Sequence, residues 1–245
     1  MFQNVWYTYT TNAVNDPDGD QIRYHLNATG PGTPYQNTTI WVSSGTPMSW
    51  NLMWEPTDNP GAYLIQVWVE DSYGMLSHMA SLSVTMVKPL CALKTLTDGY
   101  FYVPNLAPSI LRIEMLFDNQ NIVGDQTGGT SPYTSVRNWP DGYVNVKDSV
   151  LVGVAFGSVE GGANWNYMAD IVPDRVINVK DTVAIGNNFG KSGTYITDLA
   201  GVAITFNTGQ TISPDSAGFV TIPQGATSFT VKRNGNLIGA MVIFW

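Results

Sequence analysis

The sequence has 245 residues, 44% of them hydrophobic and only 12% charged, with a formal net charge of −8. That length allows two domains or one large β-sandwich carrying an insertion, with a sizeable core. With 11 Lys and Arg and no basic stretch, nucleic acid is a poor partner, because phosphate binding needs clustered cations.

No run of 18 apolar residues offers a membrane span, and residues 1–20 lack the basic start and apolar core of a signal peptide. An extracellular chain would therefore be a mature or trimmed form. The single cysteine, Cys91, rules out an intramolecular disulfide. It lies in Pro89-Leu90-Cys91-Ala92-Leu93 and reads as a small buried hydrophobe rather than a nucleophile.

Residues 2–88 read as strands throughout. Val5–Thr10, Thr38–Val42, Tyr63–Val69 and Ala80–Val87 are rich in aromatic and β-branched residues and are bounded by Gly, Pro, Asn or Asp. Short strands at this spacing indicate a sandwich. Asp16-Pro17-Asp18-Gly19 is a tight turn, with Pro fixing φ and Gly taking the positive-φ position. Its acidic residues, with Asp20 and Asp71, read either as a solvated turn or as a calcium site. Asn27-Ala28-Thr29 and Asn37-Thr38-Thr39 are glycosylation sequons, placing candidate sites at Asn27 and Asn37. Asp16–Asp20 followed by Ile22 and Tyr24, with Pro60–Tyr63 leading to Val69–Gly74, resembles PKD-type and cadherin-like immunoglobulin-fold modules over about 85 residues.

Gly99–Val103 and Ser109–Phe117 continue the β pattern, and it returns at Val202–Phe206, Gly218–Ile222, Ser228–Lys232 and Leu237–Trp245. Asn234-Gly235 between the last two runs signals a hairpin. The expectation is a mainly β chain. Residues 1–88 form an immunoglobulin-like β-sandwich, 89–135 plus 194–245 form a second β-domain, and 136–193 form a helical insert.

The insert is an internal duplication. Pro140-Asp141-Gly142-Tyr143-Val144-Asn145-Val146-Lys147-Asp148 recurs as Pro173-Asp174-Arg175-Val176-Ile177-Asn178-Val179-Lys180-Asp181, and Phe156-Gly157 recurs as Phe189-Gly190 in the same register. Each unit reads as an oxygen-rich loop followed by a short helix. Val152 and Phe156 should share one helix face, as should Ile185 and Phe189, with Gly157 and Gly190 as left-handed caps. Gly153 and Gly186 would allow close approach of the two helices.

This pattern resembles the dockerin type I module over residues 136–192. The resemblance implies calcium as cofactor and ligands at loop positions 1, 3, 5, 7, 9 and 12. In the second loop these fall on Asp170, Asp174, the Val176 carbonyl, Asn178 and Asp181. In the first they fall on Asp141, the Tyr143 carbonyl, Asn145 and Asp148. Departures are Arg137 and Trp139 at positions 1 and 3 of the first loop, and Val172 and Arg175 in the second. Fewer oxygens mean weaker calcium binding, so metal-free turns held by Asn and Asp side chains are the other reading.

Such duplicated pairs bind cohesins in cellulosomes and also occur in archaeal surface proteins, inserted among β-sandwich domains. Catalytic motifs are absent from the sequence, and Glu70-Asp71 on one strand would point to opposite faces. The expected function is a non-enzymatic, extracellular structural or adhesive protein that forms a homopolymer, with residues near 1–10 or 237–245 at the subunit contact. A carbohydrate-binding or cohesin-binding accessory module, with surface glycans as partners, is the alternative.

Overall fold

The structure is a computed structural model that describes residues 1–3, 5–32, 35–53 and 60–245. It is mainly β, with antiparallel sheets and two α-helices among the described residues. The chain divides into two compact units, Met1–Lys88 and Pro89–Trp245.

The first unit holds β1 (Trp6–Thr10), β2 (Gln21–Thr29), β3 (Tyr35–Thr38), β4 (Val42–Ser43), β5 (Ser49–Met53), β6 (Gly61–Asp71) and β7 (Ala80–Met86). One sheet runs β3-β2-β6-β7, with β4 also on β2, and the other is the β1-β5 pair. Alternation sets the two faces. Ile22, Tyr24, Leu26 and Ala28 of β2 are buried and meet Ile65, Val67 and Val69 of β6 and Trp50 and Leu52 of β5. The Tyr24 ring lies edge-on to Trp50 at 6.1 Å, and its hydroxyl donates to the Thr46 carbonyl at 2.8 Å.

The single strand expected at 38–42 is two short ones. The Thr39 hydroxyl oxygen accepts the Tyr24 N–H at 2.9 Å, which takes a ladder donor out of the sheet, and Ile40 is left 81% exposed.

The second unit holds β8 (Cys91–Lys94), β9 (Tyr100–Tyr102), β10 (Ile110–Phe117), α1 (Val146–Ala155), α2 (Val179–Gly186), β11 (Val202–Phe206), β12 (Thr211–Ile212), β13 (Phe219–Thr221), β14 (Ser228–Arg233), β15 (Asn236–Leu237) and β16 (Gly239–Phe244). Its sheets, β13-β10-β16-β8 and β12-β11-β14-β15 with β9 on β14, enclose Leu93, Leu111, Ile113, Ile204, Phe206, Val231, Val242 and Phe244. Phe229 stacks on Phe101 at 5.1 Å in the same core. Asn234 and Gly235 have φ of 51° and 84°, the two positive values a type I′ hairpin turn requires.

β16 is an inner strand, bonded to β10 on one side and β8 on the other, and every one of its residues is buried. Met241–Phe244 are paired on both sides, within the 237–245 stretch expected at a subunit contact.

Candidate functional site

The helix pair and its loops surround a second core in this unit. Val152 and Ala155 of α1 and Ala184 and Ile185 of α2 pack with Phe117, Ile122, Val144, Ala169, Ile171 and Ile177. Each helix begins with a capping box: the side chains of Asn145 and Asn178 cap the first turns, and Asp148 and Asp181 return to the cap N–H groups. Both helices end sooner than the sequence suggested. Phe156 and Phe189 follow the helices and are each 56% exposed, away from the face that buries Val152 and Ile185.

Gly157 and Gly190 do take φ of 80°. Gly153 and Gly186 face open space, so their lack of a side chain serves no contact between the helices.

The two halves interlock by matched backbone hydrogen bonds. Gly157 N–H donates to the Ile177 carbonyl at 2.8 Å, and Ile177 N–H donates to Ser158 at 3.0 Å. In the other half, Gly190 N–H donates to Val144 at 2.8 Å, and Val144 N–H donates to Lys191 at 3.0 Å. Each loop is thus pinned by the segment that leaves the other half's helix, an approximate two-fold arrangement.

Every expected ligand has a place in this frame. The Asp181 carboxylate accepts from Ile171 N–H (2.8 Å), Val172 N–H (2.9 Å) and Asn178 N–H (2.9 Å). Asp170 accepts from Asp174 N–H (3.4 Å), Arg175 N–H (3.0 Å) and the Tyr102 hydroxyl (2.8 Å). Asp174 closes a turn on Val176 N–H and takes the Lys180 ammonium at 2.6 Å. The Val176 carbonyl accepts from the Asn178 side chain, whose oxygen accepts the Lys180 N–H.

In the first loop, Asp148 accepts from Gln126 N–H (2.7 Å), Thr127 N–H (3.0 Å) and Asn145 N–H (2.8 Å). Asp141 turns onto Tyr143 N–H, and the Tyr143 carbonyl accepts from the Asn145 side chain.

Those contacts expose a residue that sequence reasoning missed. Asp125 accepts from Asp141 N–H (3.1 Å), Gly142 N–H (2.8 Å) and the Tyr195 hydroxyl (2.5 Å), the same set that Asp170 holds. Asp125, Gln126 and Thr127 are therefore the first three loop positions, and residues 128–139 are an insertion absent from the second loop. Arg137 and Trp139, expected at positions 1 and 3, lie within that insertion. The signal was present in the sequence: Asp125 and Asp170 stand at equal distances before Pro140 and Pro173 once the insertion is removed.

Burial pushes the Asp170 carboxyl up to about 7, against the pull of Tyr102 and the two amides. Burial likewise raises Asp125, Asp148 and Asp181. Lys94, fully buried in β8, donates to the Ile122 carbonyl at 2.7 Å and lies 4.4 Å from the Phe117 ring and 5.7 Å from the Tyr195 ring. Burial lowers its ammonium to about 8, opposed by the attraction of Asp125 and Asp148.

These donors do not fit a calcium ion, which takes six to eight oxygens at roughly 2.3–2.6 Å. The position-12 carboxylates are spent on loop amides, position 3 is Val172 or Thr127, and a lysine holds Asp174. Three acidic side chains do converge at Asp16, Asp18 and Asp20, which form an exposed turn in the first unit. Asp16 accepts the N–H groups of Asp18 and Asp20 there. Of the sequon residues, Asn37 is exposed on β3 and Asn27 is half-buried on β2.

Cys91 is buried and burial raises its thiol, so it is an inert core residue. Among the described residues no helix is long and apolar enough to cross a membrane.

No family model matches the chain. No curated protein matches it either. Among solved structures it is similar to the PKD domain of an M14-like peptidase from Thermoplasmatales archaeon SCGC AB-540-F20, with 27% identity, covering 36% of this chain and 84% of that one at a TM-score of 0.29.

Proposed function

We propose that the chain is a non-catalytic, extracellular structural or adhesive protein that associates with further copies of itself through exposed apolar surface. One observation carries this reading. The outer face of the helix pair presents the same apolar stripe twice, Val146, Val150 and Phe156 from one half and Val179, Val183 and Phe189 from the other, each more than half exposed. Exposed apolar side chains repeated in this way suit a protein contact. Sparse charge and a surface of hydroxyl and amide groups suit an extracellular setting, and exposed Asn37 is the position we assign to a glycan.

The test is assembly. Light scattering and electron microscopy of the full chain should show concentration-dependent polymers, and Val150→Lys with Val183→Lys should reduce them to monomers that keep the wild-type circular dichroism. A wild-type chain that stays monomeric at high concentration overturns the reading.

A glycan-binding role has its own observation. On the outer face of β2 and β6, His25 stacks on Trp68 at 5.2 Å and Arg23 lies 4.7 Å from the Trp41 ring, beside Glu70. Binding on a glycan array that is lost in Trp41→Ala would favour that role over self-assembly.

A further inference from the structure

We propose that the helix pair folds without calcium, because unit 2 itself fills the place of an ion at the leading carboxylates, with the Tyr195 hydroxyl on Asp125 and the Tyr102 hydroxyl on Asp170. The two loops are built alike down to the donor. Asp125 and Asp170 each accept two amides of their own loop and one tyrosine hydroxyl from outside it. An ionised carboxylate offers about four lone-pair sites, and these donors take three of them, the Asp174 amide at 3.4 Å being the longest.

A cation lies beside each tyrosine ring. The Arg175 guanidinium lies 4.5 Å from the Tyr102 ring, and its end groups bond Glu160, Asn105 and the Val103 carbonyl. The Lys94 ammonium lies 5.7 Å from the Tyr195 ring and is attracted by Asp125 and Asp148. A cation fixed by the protein is thus attracted to the leading carboxylate in the first loop, whereas in the second the guanidinium is paired with Glu160 and the Tyr102 hydroxyl and the amides alone hold Asp170.

The insertion makes the same point independently. Calcium loops of this type depend on the fixed spacing of ligands along a short stretch of chain. Residues 128–139 interrupt that spacing between positions 3 and 4, yet Asp148 still reaches the amides of Gln126 and Thr127, as Asp181 reaches Ile171 and Val172. Amide clamps survive the interruption because they require only that the two ends of the loop meet. Asp141 and Asp174 are turned onto their own backbones and onto Lys147 and Lys180.

The experiment is amide hydrogen exchange on the full chain, in millimolar calcium and in excess chelator. Local readout is needed because Asp16, Asp18 and Asp20 could respond to calcium elsewhere. Protection at residues 141–142, 174–175 and along both helices should be the same in the two conditions. Tyr102→Phe should lower protection at Asp174 and Arg175 by about tenfold, the loss expected for one hydrogen bond to a buried charge, and Tyr195→Phe should do so at Asp141 and Gly142. Calcium should not restore it. Calcium-dependent protection of either wild-type loop by tenfold or more overturns the proposal. So do tyrosine variants indistinguishable from wild type in both conditions. If a variant fails to fold, the wild-type comparison still decides.

Discussion

Tyr102 and Asp170 stand 68 residues apart in the chain, and the hydroxyl of the first donates to the carboxylate of the second at 2.8 Å. This bond fastens the β9 strand to the second loop. Tyr195 and Asp125 repeat it in the first loop, so the helix pair is tied at two matched points to the unit that surrounds it.

The clamps at Asp148 and Asp181 hold equal sets of three backbone amides. Asp148→Ala and Asp181→Ala should therefore destabilise the protein alike, each by about 2–4 kcal/mol, from a lost cap and orphaned buried donors. Urea denaturation measures this. A large effect at Asp181 with almost none at Asp148 would show that the loops are not equivalent.

Gln126 is fully buried, and neither its side-chain oxygen nor its nitrogen has a hydrogen-bond partner. Its counterpart in the second loop is Ile171, also fully buried. Gln126→Ile should raise stability by about 1–3 kcal/mol, since an unpaired buried amide is replaced by apolar volume. Thermal unfolding would register this as a higher midpoint, and a lower one would refute it.

Lys94 gives the fold a pH dependence. Its ammonium titrates at about 8 in the folded chain, below the ordinary lysine value of 10.5. Between those values the unfolded chain holds more protons than the folded one, so stability rises with pH through this window. Below about 8 the contribution is flat. The slope is at most about 1.4 kcal/mol per pH unit. Measurements should stop near pH 9, because the buried Cys91 thiol and Tyr102, Tyr133 and Tyr195 are held above their ordinary range and oppose the trend once the unfolded thiol and phenols ionise. Lys94→Met should abolish the rise in urea melts taken from pH 7 to 9.

Val242 sits in β16 opposite Ile113 on one side and Leu93 on the other, with no exposed surface. Val242→Asp should cost more than about 4 kcal/mol by burying an unpaired charge. Loss of folded, soluble protein is the expected result. A soluble, folded variant that no longer assembles would instead place this strand at a contact between copies.

Strands with one wet face were legible because burial imposes a two-residue period, as in Tyr63, Ile65, Val67 and Val69. β8 was not read as a strand, since Cys91 to Lys94 are buried on both faces and end in a lysine that looks like surface. The duplicated loops were legible wherever the two copies align without a gap. Asp125 lay beyond the insertion, and Tyr102 and Tyr195 lie outside the repeat altogether, so only the folded chain brings them to the carboxylates. Oxygen-rich spacing alone looked the same whether its partners were a metal or amides.

The reciprocal bonds between Val144 and Gly190 and between Ile177 and Gly157 have a consequence for how the chain could be divided. Neither half of the helix pair completes its own loop, so neither is a module in isolation. Cleavage at the exposed link Gly161-Gly162 would sever the backbone but leave these bonds intact. The two fragments would stay associated as complementary pieces, each serving as the template on which the other keeps its shape.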